Sequence, residues 1–242
     1  MALPNIQTLP PRRVYRKEYL PESDGKPMAE TDIHRKLLFS LSHALEEYFR
    51  KRPDVYISGN IFLYYRDDQG QRKNVSPDIL VAFGIEKKER RIYKLEDEGK
   101  APDVVIELIS AETKSKDLGE KRYIYATLGV GEYYIFDPLN ETLQPALRGY
   151  RLVEGEYMPM VGTRLLSKAM GLELRAEEGT LRLYDHKAGA RLLTPEEAEA
   201  ARDEAETARD EAEAKAAREL AQRQAAEAEV ARLREELGKL RG

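Results

Sequence analysis

The chain has 242 residues, enough for one well-buried domain with an appendage and too few for two full domains. It contains no cysteine, which excludes a disulfide framework and any thiolate metal site. Its net charge of −4 is unevenly spread: residues 195–242 hold 14 acidic and nine basic side chains, leaving 30 acidic and 31 basic for residues 1–194. The body is therefore near neutral, without the strongly basic character of a high-affinity nucleic-acid binder. No apolar run approaches the roughly 20 residues that would span a bilayer, and the N-terminus lacks a charged-then-apolar leader. A soluble cytoplasmic protein is the expectation.

Residues 1–30 carry prolines at 4, 10, 11, 21 and 27 and read as irregular. Residues 32–50 form the first clear helix, with Ile33, Leu37, Leu41, Leu45 and Phe49 recurring at i+4 and Pro53 stopping it. Residues 55–65, rich in β-branched and aromatic types, read as one strand. Asp67, Asp68, Gln69 and Gly70 supply a turn, and 77–83 is a second strand. Residues 86–100 form a charged excursion. Residues 104–109 make a continuous apolar strand of the kind covered on both faces. A helix over 115–128 ends at Gly129, and a strand over 132–137 ends at Pro138. Short strands are expected at 147–153, 156–161 and 180–184. This order suggests an α/β sandwich around a central mixed β-sheet.

The composition changes at Thr194, which divides the chain into a body of residues 1–193 and a helical tail of residues 194–242. Thr194, Pro195 and Glu197 read as an N-cap, a first-turn proline and the acid of a capping box. Alanines at 201, 205, 208 and 212 follow a 4-3-4 spacing, and Val230, Leu233, Leu237 and Leu240 follow 3-4-3. Such a seam resembles a coiled coil and predicts self-association, most simply a homodimer. A solitary, charge-stabilised helix is the plainer alternative, since alanines bury little area.

The chemistry centres on Glu107, inside the most apolar run of the chain. An ionised carboxylate in a buried strand costs several kcal/mol unless a cation compensates it. Strand parity puts Asp103, Val105, Glu107 and Ile109 on one face and Val104, Ile106 and Leu108 on the other. Asp78 opens its own strand behind Pro77, and two carboxylates on neighbouring strands can share one divalent cation, with magnesium the usual hard-ligand choice. Leu118, Lys121, Tyr125 and Leu128 follow a 3-4-3 spacing, which turns Lys121 toward the sheet. A desolvated ammonium there could orient or deprotonate an attacking water. The structural alternative is a plain Glu107–Lys121 ion pair, with Asp78 as a turn residue.

These residues resemble the PD-(D/E)XK restriction-endonuclease-like superfamily, and more closely its Uma-two family of bacterial endonucleases. The likeness spans roughly residues 28–160. It is carried by Pro77 and Asp78, by Pro102 and Asp103 through Glu107 to Ser110, and by Glu120, Lys121 and Tyr125. Gly129 and Val130, then Glu132 through Asp137 and Pro138, complete it. The resemblance implies a restriction-endonuclease-like fold and metal-assisted phosphodiester hydrolysis in DNA. It implies Asp78 and Glu107 as ligands of Mg2+, with Mn2+ a plausible substitute and the Leu108 backbone carbonyl a third contact. The lysine expected two residues after the glutamate is replaced by Ile109, and Lys121 looks like its migrated substitute. The competing function is a catalytically idle nuclease-fold scaffold that recruits partners through its tail.

Secondary candidates are weaker. Glu30 is either an auxiliary ligand or a favourable charge at a helix N-terminus. His34, His43 and His186 lack zinc-ligand spacing. Lys87, Lys88, Arg90, Arg91 and Lys94 form the densest basic cluster of the body and could contact phosphates, although Glu86 and Glu89 dilute it. Tyr123 and Tyr125 read as packing residues. Ser110 has no histidine at nucleophile spacing, which argues against serine-hydrolase chemistry.

Overall fold

A computed structural model describes residues 20–22, 31–109 and 116–240. The first helix, α1 (Asp32–Tyr48), starts where the Thr31 side chain accepts a hydrogen bond from the His34 N–H and buries Leu41, Ala44 and Leu45. Strands β1 (Val55–Gly59), β2 (Leu63–Arg66), β3 (Arg72–Val75) and β4 (Ile79–Phe83) follow, then β5 (Tyr93–Lys94) and the one-turn helix α2 (Leu95–Glu98). Next come β6 (Val104–Leu108), a π-helical turn (Lys116–Lys121), α3 (Arg122–Leu128) and β7 (Glu132–Phe136). Strands β8 (Leu147–Val153), β9 (Glu156–Pro159), β10 (Arg164–Ser167), β11 (Leu172–Glu177) and β12 (Thr180–Asp185) lead to the long helix α4 (Pro195–Leu240).

The central sheet has six strands in the order β1-β4-β6-β7-β8-β9. Only β6 and β7 run parallel; the other pairs in that sheet are antiparallel. The crossover from β6 to β7 carries the π turn and α3, so that helix must lie on one face of the sheet. One core layer, including Val105, Ile109, Tyr125 and Tyr133, fills that face. The other layer joins Val104, Ile106 and Leu108 to Leu41 and Leu45 of α1 and to Leu172, Leu174, Leu181 and Leu183 of the β10-β11-β12 sheet. The strand parity read from the sequence therefore describes both faces of β6.

Three differences from the sequence reading have physical causes. The strand expected over 55–65 is two strands in different sheets, because Asn60 takes a positive φ of 51° and redirects the chain. Its N–H donates to the carbonyls of both Pro77 and Asp78, each at 3.1 Å, so the redirected chain stays pinned to the start of β4. The charged excursion contains β5, which pairs in parallel with β2 and buries Tyr93. Strands β10 and β11 lie outside the expected strands: β10 is four residues long, and the alternation in β11 spans only two buried leucines, Leu172 and Leu174.

The start of α4 carries the capping box. Thr194 N–H donates to Glu197 Oε2 at 3.0 Å, and Glu197 N–H donates to Thr194 Oγ1 at 3.3 Å. Glu197 also pairs with Arg182 and Arg191, which ties the first turn to the body. From Glu199 onward the helix is exposed wherever its side chains are described. At 1.5 Å per residue it extends about 70 Å. Among the described residues no helix is long and apolar enough to cross a membrane.

Candidate active site

Continuing the antiparallel register of β4 and β6, in which Ile79 faces Ile106, sets Asp78 opposite Glu107. Two hydrogen bonds reflect this. The Leu108 N–H donates to Asp78 Oδ2 at 2.7 Å, and the Asp78 N–H approaches Glu107 Oε2 at 3.4 Å. Glu107 has 0% solvent exposure. Lys121 Nζ reaches its Oε2 at 2.8 Å, and the Tyr125 hydroxyl donates to Oε1 at 2.7 Å. Lys121 is the last residue of the π-helical turn and Tyr125 follows one turn later, so the two contact Glu107 from consecutive turns. A π turn adds a residue to the helical circuit and commonly marks a functional position.

Burial and the neighbouring Glu107 carboxylate hold the Tyr125 phenol well above its ordinary pKa. It therefore remains a proton donor to Glu107 at any physiological pH. Asp78 is less enclosed, and His34 Nε2 lies 3.6 Å from its Oδ1. His34 stands on the buried stripe of α1, seven residues before Leu41, a spacing that could have singled it out in the sequence.

The donor set suits a small hard cation. Asp78 and Glu107 offer adjacent carboxylates, and a carboxylate oxygen accepts more than one bond, so the protein contacts above do not exhaust them. Among the described residues, no three or more His, Asp or Glu side chains gather as a ready-made metal cage. That is compatible with magnesium, which is ordinarily held by one or two carboxylates together with waters and substrate phosphates.

Several sequence candidates stand elsewhere. The basic stretch leaves β4 at the end opposite Asp78, where Gly84 and Lys87 donate backbone hydrogen bonds to Asp54 and Pro53. Arg90, expected as a phosphate contact, is engaged within the body. Its guanidinium makes a two-pronged pair with Glu98 at 2.7 and 2.8 Å, bonds the carbonyls of Glu86 and Lys88, and sits 4.2 Å from the Tyr56 ring centroid. Lys88 pairs with Glu86 and Arg91 with Glu22. Lys87 is exposed. Glu30 and Ser110 lie outside the described residues.

Gly59 and Asn60 were not singled out by the sequence, and His34 was weighed there only as a zinc ligand. A Cβ on Gly59 would lie 2.9 Å from the Asp78 carbonyl oxygen, so glycine there permits the close approach of β1 to the site. A second buried carboxylate, Glu132, faces the opposite side of the sheet. It accepts hydrogen bonds from Tyr134, Ser167 and the Lys168 N–H and pairs with Arg151, which joins β7, β8 and β10. Asp137 accepts from the N–H groups of Leu139, Thr142 and Leu143 and shapes a loop. Both are structural.

A mixed α/β body with a central mixed sheet, and paired carboxylates on adjacent strands beside a helix lysine, defines a restriction-endonuclease-like architecture. The sequence model of the Uma2 family, described as "Putative restriction endonuclease", matches residues 6–178. The chain belongs to that family. Among solved structures it is similar to a crystal structure described as "a putative nuclease belonging to DUF820" from Anabaena variabilis ATCC 29413. That similarity has 16% identity and a TM-score of 0.42, covering 59% of this chain and 74% of the other. No curated protein matches the chain.

Proposed function

We propose that this chain is a magnesium-dependent endonuclease that hydrolyses phosphodiester bonds in DNA. The observation that carries the proposal is Glu107, a fully buried carboxylate opposite Asp78 and held by Lys121 at 2.8 Å. Membership of a family described as restriction endonucleases supports the reaction class and DNA as the substrate. Asp78 and Glu107 would hold the cation. When bound, a divalent cation supplies Lewis-acid polarisation of the phosphate and a lowered pKa of water. Lys121 would orient the attacking water and offset the negative charge that develops on the phosphate. Tyr125 would fix the Glu107 carboxylate in one orientation. We also propose self-association through α4, supported by exposed Val230, Leu233 and Leu237 at heptad spacing.

Plasmid cleavage with and without magnesium tests the reaction. Asp78→Ala and Glu107→Ala are each expected to lose about a hundredfold or more of the activity. Stabilisation by Mn2+ in a thermal-shift assay should disappear in Glu107→Gln. Cleavage undiminished in both alanine variants would overturn the proposal.

A further inference from the structure

One straight face of α4 has a symmetry of its own. Positions 201, 205, 208, 212, 215, 219, 223, 226, 230, 233 and 237 take ten steps over 36 residues, the 3.6-residue period of an undistorted α-helix. Their occupants run from Ala201, Ala205, Ala208 and Ala212 through Lys215, Glu219 and Arg223 to Ala226, Val230, Leu233 and Leu237. The spacings read the same in both directions from Glu219. Turning a second copy about that residue sets Ala201 against Leu237, Ala205 against Leu233, Ala208 against Val230 and Ala212 against Ala226.

We infer that α4 pairs with α4 of a second copy in antiparallel orientation, centred on Glu219. This rests on the self-association proposed above and adds its direction and register. Two independent gradients along the helix select it. The first is side-chain size. Interaxial distances range over about 8–10 Å with the side chains at the contact. A parallel pair would oppose alanine to alanine at one end and leucine to leucine at the other, so no single separation would pack both. The antiparallel pair sets a small residue against a large one in three of the four outer layers, at uniform separation.

The second gradient is charge. Residues 195–214 hold nine acidic and two basic side chains. In a parallel pair that segment faces its own copy. In the antiparallel pair it faces residues 224–242, which hold four acidic and four basic side chains. The helix dipole does not account for the gradient, because its influence fades within the first turn. At the centre, Glu219 of each copy lies between Lys215 and Arg223 of the other. At the ends, Ala201 and Ala205 also line an apolar groove with Tyr48, Leu192 and Leu193. Leu233 and Leu237 of the second copy would enter that groove, so the body adds to the contact.

The absence of cysteine allows single-site spin labelling of the full chain. Labels on Gln222→Cys and Arg234→Cys flank the stripe without occupying it. Antiparallel pairing about Glu219 places the two 222 labels about 9 Å apart along the axis and the two 234 labels about 45 Å apart. A short distance at 222 with a long one at 234 is the expected result. Short distances at both positions would show parallel pairing and overturn this inference alone. Long distances at both would overturn the register. A monomeric chain with no dipolar coupling would overturn the inference together with self-association, while leaving the nuclease reading in place.

Discussion

Glu107 has no exposed surface, and its two oxygens are bonded to Lys121 and Tyr125, each of which contributes differently. Lys121 supplies charge, and Tyr125 supplies a neutral donor whose proton is held by burial. Lys121→Met should destabilise the fold by about 3–5 kcal/mol, because it breaks a buried ion pair. Tyr125→Phe should cost about 1–3 kcal/mol through the loss of one hydrogen bond to a buried carboxylate. Glu107→Gln combined with Lys121→Met removes the charge as well as its partner, and should recover most of the stability lost by Lys121→Met alone. Urea denaturation checks these values, and DNA cleavage by the double variant separates structure from chemistry. A refolded but inactive double variant is expected. Full activity in it would assign the pair to stability only.

At the scale of elements, the position of Asp78 depends on how β1 leaves the sheet. Gly59 allows the close approach, and the Asn60 N–H then donates to the carbonyls of Pro77 and Asp78. Gly59→Ala forces a Cβ to within 2.9 Å of the Asp78 carbonyl unless the backbone moves. A displacement of about 1 Å can cost a hundredfold in rate. Cleavage should therefore fall by about tenfold or more while the melting temperature drops only a few degrees. Unchanged cleavage would show that Asp78 needs no such placement. This dependence was not legible in the sequence, because nothing local to Gly59 shows which strand lies beside it. Glu107 and Lys121 were legible, since strand parity and a 3-4-3 helix spacing are both local periodicities. His34 was half legible: the stripe drawn through Ile33 and Leu37 passed one residue away from it. Within the basic cluster, composition does not reveal that Glu98 and Tyr56 enclose Arg90.

At the scale of the whole molecule, tyrosine fills the place that phenylalanine and tryptophan usually take. The chain has 14 tyrosines, five phenylalanines and no tryptophan. Tyr93, Tyr125 and Tyr134 are fully buried, and their hydroxyls donate to the Lys100 carbonyl, Glu107 and Glu132. Burial, with nearby carboxylates, raises the pKa of each phenol well above the ordinary value. Tyr48, bonded to Asp185, is pushed up to about 12. In the unfolded chain all of them titrate near pH 10. Above that pH the unfolded state binds fewer protons than the folded state, so stability falls as pH rises. It is retained below about pH 10 and is lost toward the raised folded values. Each of Tyr93, Tyr125 and Tyr134 contributes about 1.4 kcal/mol per pH unit, so these three together remove about 4 kcal/mol per unit once past pH 11. Against a total stability of about 5–15 kcal/mol, two pH units remove about 8 kcal/mol, enough to unfold a body in the lower half of that range. Tyrosinate absorbance followed in parallel with far-ultraviolet circular dichroism should therefore show a steep late step coinciding with loss of secondary structure. Smooth ionisation of all 14 phenols near pH 10, with the secondary structure intact, would mean that the tyrosine core is open to water.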